Sequence, residues 1–354
     1  MKRLLILVCG LLGWFAGTRA CTTFFINKDG KLAFGRNYDW ITDAGFVAKN
    51  NRGLLKTSFK NQEGGTLNWI SRYGSITFNQ YGKEFPTGGM NEKGLVVELM
   101  WLDGSVYPKT DDRPTLNVLQ WIQYQLDNCA TIDEVLATDK LIRIGADNPP
   151  LHYLVADAAG NAATIEFLNG KTVVHKGNNL PLPVLTNTDY ASSAEAVRTS
   201  GVLQGKASAT FNDNSLQRFA KACSMVNEFR QDDSKKSIID FSFDILNNVA
   251  QPGWTRWSIV YDISNKAIYF RTARFTSIKS VAFSDFDFAC NSASIGLDMN
   301  QPLHGKIAKE FKPFTKDDNK KLVDKSAEES KTQVTISEAD RVRQVEYAAG
   351  IGCK

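Results

Sequence analysis

Histidine is scarce in this sequence, with three residues among 354. His152, His175 and His304 lie far apart, and no HExxH motif places two of them on one helical face. The chain also lacks a GxSxG nucleophile elbow and the GxxxxGK phosphate-binding loop. These absences argue against a histidine-ligated metal, an α/β-type serine hydrolase and a P-loop nucleotide site. We therefore expect the strand-borne histidines to be packed or surface residues.

Long hydrophobic runs are lacking beyond the N-terminus. Residues 4–16 are apolar and uncharged, and Thr18 and Ala20 place small side chains at −3 and −1 relative to Cys21. This pattern is typical of a cleaved secretory signal peptide, so we expect residues 1–20 to be removed and the mature protein to be secreted or periplasmic. The run is short for a membrane span of roughly 20 residues, so no stable membrane insertion is expected after cleavage.

A cysteine directly after a leader admits two other interpretations. A lipoprotein signal usually has Leu three positions before the cysteine, whereas this sequence has Thr18 there, followed by the charged Arg19. These residues disfavour lipidation, which would make the protein a lipid-anchored, non-catalytic envelope protein that binds a ligand. In the other interpretation, the thiol of Cys21 itself removes the leader.

Charge of one sign is lacking as well. The formal net charge is +4, and the predicted leader holds three basic residues, which leaves +1 for the mature chain. A near-neutral balance gives no electrostatic basis for binding nucleic acid or an anionic membrane. We therefore expect a small-molecule partner and no nucleic acid.

Cysteine is sparse in the mature chain, and its spacing is wide. The mature sequence keeps Cys21, Cys129, Cys223, Cys290 and Cys353, with no CxxC pair. Because the count is odd, at least one thiol is free or pairs between chains. Neither a zinc site nor a disulfide framework is predicted, and no cofactor is expected.

The order of predicted elements indicates the fold class. A hairpin is predicted over 22–36 around the Asp29-Gly30 turn. Helices are predicted over 115–128, 131–138, 191–199, 215–228 and 237–248, and strands over 67–78, 95–102, 151–157, 162–167, 171–175, 183–186, 256–263, 266–271 and 283–288. Strands and helices come in blocks without strict alternation, which favours an α+β fold. We predict a four-layer αββα sandwich of two mainly antiparallel sheets.

No Pro/Gly-rich linker divides the mature chain. We therefore predict one domain over 21–354. Residues 310–331 are rich in Lys, Asp and Glu and poor in large apolar side chains, so this segment is predicted to be a peripheral tail.

Cleavage before Cys21 would supply a base that the scarce histidines do not. The new α-amino group, of pKa about 7.7–8.0, is attached to the nucleophile and can take the thiol proton. Arg36 would favour the thiolate, and Asp39 could hold the α-ammonium group. The predicted hairpin brings Arg36 beside the strand that begins at Cys21. The alternative is that Arg36 and Asp39 form a surface ion pair beside an ordinary cysteine.

Several motifs in order carry a family resemblance. They are Cys21-Thr22, GRNYDW at 35–40, GMNEKGL at 89–95, LHY at 151–153 with Ile165-Glu166, VLTN at 184–187 and SLQRF at 215–219. Together they resemble the choloylglycine hydrolase family, which includes bile salt hydrolases and penicillin V acylases and consists of N-terminal nucleophile hydrolases.

The resemblance implies roles for matching positions. Cys21 would be the nucleophile, and Arg36 and Asp39 would set its protonation and orientation. Asn187 would donate its side-chain amide to the oxyanion, and Arg218 would complete the polar cluster around the thiol. The alternatives are turn chemistry for Asn187 and a helix-surface charge for Arg218. The resemblance also implies a homo-oligomer.

One position departs from the family pattern. Trp101 falls where bile salt hydrolases often have Asn and some penicillin V acylases Tyr. An indole there would enlarge an apolar wall, and Trp40 is predicted to add to it. The alternative for both indoles is core packing. We expect a hydrolase of the linear amide in N-acylated small molecules, with an aryl or fatty acyl group as in penicillin V or acyl homoserine lactones. The alternative substrate is a conjugated bile salt.

Overall fold

The computed structural model describes residues 21–59, 65–204, 211–231 and 236–354. The predicted signal peptide, residues 1–20, therefore lies outside the described residues. In the part of the chain that is described, no helix has the length and apolar character needed to cross a membrane.

The strands form two large sheets and two small ones. In chain order they are β1 (Thr22–Lys28), β2 (Lys31–Asp39), β3 (Phe46–Asn50), β4 (Leu54–Thr57), β5 (Asn68–Ile70), β6 (Ser75–Asn79), β7 (Pro86–Asn91), β8 (Val96–Trp101), β9 (Thr115–Leu116), β10 (Arg143–Ile144), β11 (Leu151–Ala156), β12 (Ala162–Leu168), β13 (Lys171–Lys176), β14 (Val184–Leu185), β15 (Thr255–Asp262), β16 (Ala267–Thr272), β17 (Lys279–Ala282), β18 (Ile295–Asp298), β19 (Gly305–Lys306), β20 (Lys312–Pro313) and β21 (Gly352–Cys353).

The helices flank the large sheets or follow them at the C-terminus. They are α1 (Val118–Asn128), α2 (Ile132–Ala137), α3 (Tyr190–Ser200), α4 (Asn214–Gln231), α5 (Ile238–Asn248), α6 (Lys316–Ser330) and α7 (Glu338–Gly350). The Thr131–Glu134 pair forms the capping box expected at the start of α2.

The two large sheets lie face to face between helices. The first has the order β14-β1-β2-β15-β16-β17-β19 and the second β13-β12-β11-β8-β7-β6-β3-β18-β20. Apart from the parallel β17–β19 pair, neighbouring strands in both are antiparallel. Helices α4 and α5 pack on β1 and β2, and α1 packs on β7 and β8. The predicted αββα sandwich is confirmed.

Alternation along β2 determines which side chains enter the space between the sheets. Arg36 reaches Glu98 on the opposite sheet, whereas Asn37, one residue on, donates to the Leu246 carbonyl of α5 at 2.7 Å. The β1–β2 register pairs Thr22 with Asn37 and so sets Cys21 beside the end of β2. The hairpin predicted from the sequence thus positions the nucleophile candidate.

The charged segment over 310–331, predicted to be a peripheral tail, folds largely into a helix. Its main element is α6, which buries a narrow face made of Val323, Ala327 and two serines, Ser326 and Ser330. This face was hard to recognise because it contains small side chains rather than large apolar ones. The strand predicted over 283–288 is wrong, since this stretch begins with a short 3₁₀ turn.

One disulfide joins the C-terminus to the sheet region. Cys290 and Cys353 are bonded, whereas Cys21, Cys129 and Cys223 are free. The odd count required at least one thiol that is free or pairs between chains, and the wide spacing concealed the Cys290–Cys353 pair. Its partners meet because β21 adds to the edge of β4, which no sequence periodicity indicated.

Candidate active site

Cys21 lines a cavity with a volume of about 530 Å³. The residue is 4% exposed, and its Sγ donates to the Asp39 backbone carbonyl at 3.8 Å. Both Cys21 and Asp39 line the cavity. The thiol is therefore packed in the protein interior but faces a space in which a small molecule fits.

Burial raises the pKa of the Cys21 thiol. The positive charge of Arg36 opposes that shift, and the nearby Asp39 carboxyl adds to it. With residues 1–20 attached, the backbone nitrogen of Cys21 is an amide and has no basic lone pair. In this state the thiol is held neutral.

Arg36 is completely buried between the two sheets. Its guanidinium pairs with Glu98 and donates to the carbonyls of Thr87 at 3.1 Å and Leu99 at 3.0 Å. Since Arg36 pairs with Glu98 and is buried, the alternative of an Arg36–Asp39 surface ion pair is wrong. These contacts, from β7 and β8, fix the guanidinium near the thiol.

Glu98 is a site residue that the sequence analysis missed. It sits in an apolar strand pattern, and its carboxylate also accepts from the Tyr261 hydroxyl. A Cβ at Gly88 would lie 2.0 Å from this carboxylate, so the glycine leaves room for it. Burial raises the pKa of Glu98 to about 7, against the effect of Arg36. In the sequence, the Gly-Gly pair at 88–89 was the feature that could have indicated a large buried side chain packed against this strand.

Asp39 is 1% exposed at the end of β2. One carboxylate oxygen accepts from the Thr255 hydroxyl, and the other, Oδ2, is buried without a hydrogen-bond partner among the described residues. Burial raises the pKa of this carboxyl to about 7, and the Thr255 hydrogen bond and the charge of Arg218 act in the opposite direction. Oδ2 is thus an unused acceptor beside Cys21.

Arg218 connects the Cys21 backbone to Asn187. Its Nη1 donates to the Cys21 carbonyl and to the Thr22 hydroxyl, both at 2.6 Å, and its Nη2 donates to Asn187 Oδ1 at 2.9 Å. Arg218 is 4% exposed, so it is not the helix-surface charge considered as the alternative. Burial lowers its pKa, and the negative charge of Asp39 counters this.

The same contact fixes which way the Asn187 amide points. Because Oδ1 accepts from Arg218, the other end of the amide is the donor Nδ2. Nδ2 donates to the Trp101 carbonyl at 2.8 Å. The Asn187 backbone N–H is also held, by the Ser215 hydroxyl at 2.9 Å. The structure therefore brings Asn187 and Trp101 together and leaves one amide hydrogen of Nδ2 for another acceptor.

Trp40 and Trp101 stand next to each other in the cavity wall, with ring centroids 5.9 Å apart. Trp40 is 7% exposed, and its Nε1 donates to the Tyr81 hydroxyl at 2.7 Å, whereas Trp101 is only partly buried. Further apolar side chains continue this wall: Phe59, Phe85, Leu99, Leu116, Val118, Leu119 and Leu151. The cavity is thus aromatic and aliphatic beside the thiol.

A buried pair behind Asn187 was also missed as part of the site. His152, treated as a packing residue, contacts Glu166 Oε1 at 3.0 Å and the Thr186 carbonyl at 2.8 Å. Glu166 in turn accepts from the Tyr190 N–H at the start of α3. The pair therefore holds both ends of the turn that carries Asn187.

Comparison with known proteins gives a consistent result. The profile of the choloylglycine hydrolase family, described as linear amide C–N hydrolases, matches residues 21–222. A penicillin V acylase from Pectobacterium atrosepticum is 28% identical over 370 residues, covering 88% of this chain and 96% of the relative.

Two solved structures share the architecture. Penicillin V acylase from Agrobacterium tumefaciens superposes with a TM-score of 0.71 and 27% identity, covering 83% of this chain and 98% of its own. Conjugated bile acid hydrolase from Clostridium perfringens superposes with a TM-score of 0.66 at 18% identity, covering 80% and 99%. The second likeness shows the fold alone.

Proposed function

This chain belongs to the choloylglycine hydrolase family of linear amide C–N hydrolases, and from that membership we propose that it hydrolyses N-acylated small molecules with Cys21 as an N-terminal nucleophile. The observation that carries the proposal is the convergence of the Cys21 thiol, the Asp39 carboxylate and the Arg218–Asn187 contact beside one apolar cavity.

Removal of residues 1–20 would complete the site. The released α-amino group of Cys21 would carry a positive charge when it holds the thiol proton. Asp39 Oδ2, which is buried without a partner in the described part of the chain, is the acceptor suited to that charge. An ammonium group there would also offset the burial that raises the pKa of Asp39. We therefore infer that the buried carboxylate holds and orients the amine.

The reaction then needs no residue beyond this cluster. The amine takes the Cys21 proton, and the sulfur attacks the amide carbonyl to form a tetrahedral intermediate. The ammonium returns the proton to the leaving nitrogen, the C–N bond breaks, and a thioester remains. A water molecule then attacks the thioester with the amine again as base, which releases the acid and regenerates the thiol.

Asn187 is placed to stabilise the oxyanion. Of the two hydrogens on Nδ2, one donates to the Trp101 carbonyl, and the other is available to the substrate oxygen. A preorganised donor of this kind contributes roughly 3–4 kcal/mol to the transition state. Arg218 prevents the amide from rotating, because a flip would turn a donor toward the guanidinium.

The acyl group we propose is aryl or fatty. Trp40 and Trp101 offer indole faces beside the thiol, and a phenoxyacetyl group or an acyl chain would stack or pack against them. The similarity to the penicillin V acylase from Pectobacterium supports this choice, since the match covers 96% of that relative and 88% of this chain. We propose that the protein acts in the periplasm or outside the cell after its leader is removed.

A hydrolysis panel tests the proposal. Mature protein is incubated with penicillin V, with acyl homoserine lactones of several chain lengths, and with glycine- and taurine-conjugated bile acids, and free amine is measured. We expect turnover of the first two classes and its loss in Cys21→Ala. Preference for the bile conjugates would instead assign the alternative substrate, and equal activity of Cys21→Ala would refute the nucleophile.

Intact mass separates the enzyme from a lipid-anchored binding protein. Mature protein that begins at an unmodified Cys21 supports the hydrolase. A diacylglyceryl adduct on Cys21 or a retained leader would contradict it. Expression of Cys21→Ala, followed by N-terminal sequencing, shows whether the thiol is needed for leader removal.

A further inference from the structure

One wall of the cavity comes from the far end of the chain. Val334, Thr335, Ile336, Asp340 and Gln344 all line it, and we call these five residues the C-terminal wall. These residues are far from Cys21 in sequence, because the wall lies near residue 340 and the thiol at residue 21.

Aromatic packing holds this wall against the sheet region. Tyr347 on α7 meets the Phe59 ring edge-on at 5.9 Å and the Phe85 ring at 5.5 Å. Its hydroxyl donates to the Thr57 carbonyl at 2.9 Å and accepts from Gln120 at 3.0 Å. Phe59 and Phe85 also line the cavity. Tyr347 therefore packs α7, which carries part of the C-terminal wall, against aromatic side chains of the cavity lining.

The disulfide fastens the end of the same segment. After α7 the chain pairs Gly352 with Leu55 and Cys353 with Leu54, and Cys353 is bonded to Cys290. A covalent bond placed only a few residues after α7 limits how far the helix can move from the cavity. The other described cysteines are free, so Cys290–Cys353 is the only disulfide in the described part of the chain.

Gln344 carries an unused hydrogen-bond acceptor. The residue is 8% exposed and lines the cavity, yet its Oε1 is buried without a hydrogen-bond partner among the described residues. Leaving a buried polar atom unpaired is unfavourable, so such an atom is satisfied by water or by a ligand. An acceptor calls for a donor on the ligand, such as a hydroxyl group.

The C-terminal wall lies outside the stretch of the chain that the family profile matches. The family profile ends at residue 222, far before Val334. Catalytic residues Cys21, Asp39 and Asn187 all fall within the matched part. The profile match therefore gives no role to these five residues.

We propose that the C-terminal wall, locked by the Cys290–Cys353 disulfide, selects the acyl group, and that Gln344 favours acyl groups that carry a hydroxyl on their apolar body. This inference rests on the proposed amide hydrolase function. Val334 and Ile336 contact the apolar part of the acyl group, and Gln344 Oε1 accepts from its hydroxyl. The disulfide keeps these contacts in place and has no role in bond cleavage.

The first experiment measures ligand binding, which does not depend on turnover. Phenoxyacetic acid and its 4-hydroxy derivative are titrated into the mature protein, with intrinsic tryptophan fluorescence, to which Trp40 and Trp101 in the cavity wall contribute, as the readout. In wild type we expect the hydroxylated acid to bind about tenfold more tightly, the effect of one satisfied hydrogen bond. In Gln344→Leu this preference should vanish. The outward-facing Val342→Ala, 51% exposed on the same helix, should keep it.

The second experiment tests the lock. The double variant Cys290→Ser and Cys353→Ser is compared with Cys223→Ser, which removes a free thiol. We expect the double variant to bind both acids about tenfold more weakly and to show faster hydrogen exchange over 334–350, while Cys223→Ser matches wild type. Ile336→Trp places a larger side chain in the cavity lining and leaves the disulfide intact, and it should prevent both acids from binding.

The outcomes separate this inference from the proposed function. Selective binding of the hydroxylated acid without amide hydrolysis would support the role of the C-terminal wall and contradict the proposed hydrolase function. Hydrolysis with the same acyl preference in wild type, Gln344→Leu and the double variant would contradict the role of the C-terminal wall and support the proposed hydrolase function.

Discussion

Arg218 Nη1 lies 2.6 Å from the Cys21 carbonyl oxygen, while its Nη2 holds Asn187. One buried guanidinium from α4 therefore joins Cys21, the proposed nucleophile, to Asn187, the proposed oxyanion donor. Neither is near the other in sequence, so their relative position depends on this contact.

Arg218→Lys is expected to lower kcat about a hundredfold with a small change in KM. Lysine keeps the charge but cannot contact the Cys21 carbonyl and Asn187 with separate, rigidly spaced N–H groups. Steady-state kinetics on penicillin V check this. Arg198→Lys, at an exposed position on α3, is the control and should behave as wild type. An unchanged kcat in Arg218→Lys would remove Arg218 from the site.

Asn187→Ala should reduce kcat by about 10²–10³-fold, since it removes one preorganised oxyanion donor. Asn187→Asp should be at least as poor, because it places an acceptor where the negative charge develops. Exposed Asn178→Ala serves as the matched control. If Asn187→Ala raised KM alone, Asn187 would be a binding residue and not a donor to the transition state.

His152 is expected to act as a positioning residue. His152→Gln keeps a donor for the Thr186 carbonyl, whereas His152→Asn is too short to reach it from the same position. We expect His152→Asn to lose about a hundredfold in kcat and His152→Gln to lose clearly less, with similar melting temperatures. The exposed His304→Gln controls for loss of an imidazole. Equal kcat in the two variants would assign His152 to packing alone.

The raised pKa of Asp39 predicts a pH dependence of stability. Because its folded-state pKa, about 7, lies above the usual 3.8, its contribution is fully present below pH 3.8 and is lost as pH rises through 7. In a chain whose Cys21 amine is blocked by an N-terminal extension, this loss is on the order of 4 kcal/mol. Urea unfolding at pH 4 to 8 measures it.

The controls for this measurement are Asp39→Asn and the exposed Asp112→Asn. Asp39→Asn should flatten the profile of the blocked chain, although Glu98, also titrating at about 7, keeps some slope. Asp112→Asn should leave the profile unchanged. In the mature protein the free ammonium should reduce the slope. Identical slopes in the blocked and mature proteins would contradict an Asp39–ammonium contact.

The sequence was informative where local patterns and order were enough. The β1–β2 hairpin and helices α1 to α5 follow from turn, alternation and capping signals, and the sandwich follows from the block order of elements. Motifs at matched spacing located Cys21, Arg36 and Asp39. The structure places these residues together at the end of β2.

Long-range partners could not be read from the chain. Glu98 lies in an apolar strand pattern, and only the facing sheet reveals that Arg36 neutralises it. The C-terminal helices were missed because small residues form the buried face of α6, and their disulfide joins residues 63 positions apart. Such contacts depend on the assembled layers.

The most direct test is to trap the acyl-enzyme. Mature protein is mixed with penicillin V, quenched in acid within one turnover and digested with pepsin at the same low pH, where the protonated α-amine cannot take the acyl group from sulfur, and the peptide that begins at residue 21 is analysed by mass spectrometry. We predict a phenoxyacetyl group on the sulfur of Cys21 in a peptide whose α-amino group is otherwise free. An acyl group on another residue, or an active protein whose Cys21 amine is permanently blocked, would contradict an N-terminal nucleophile.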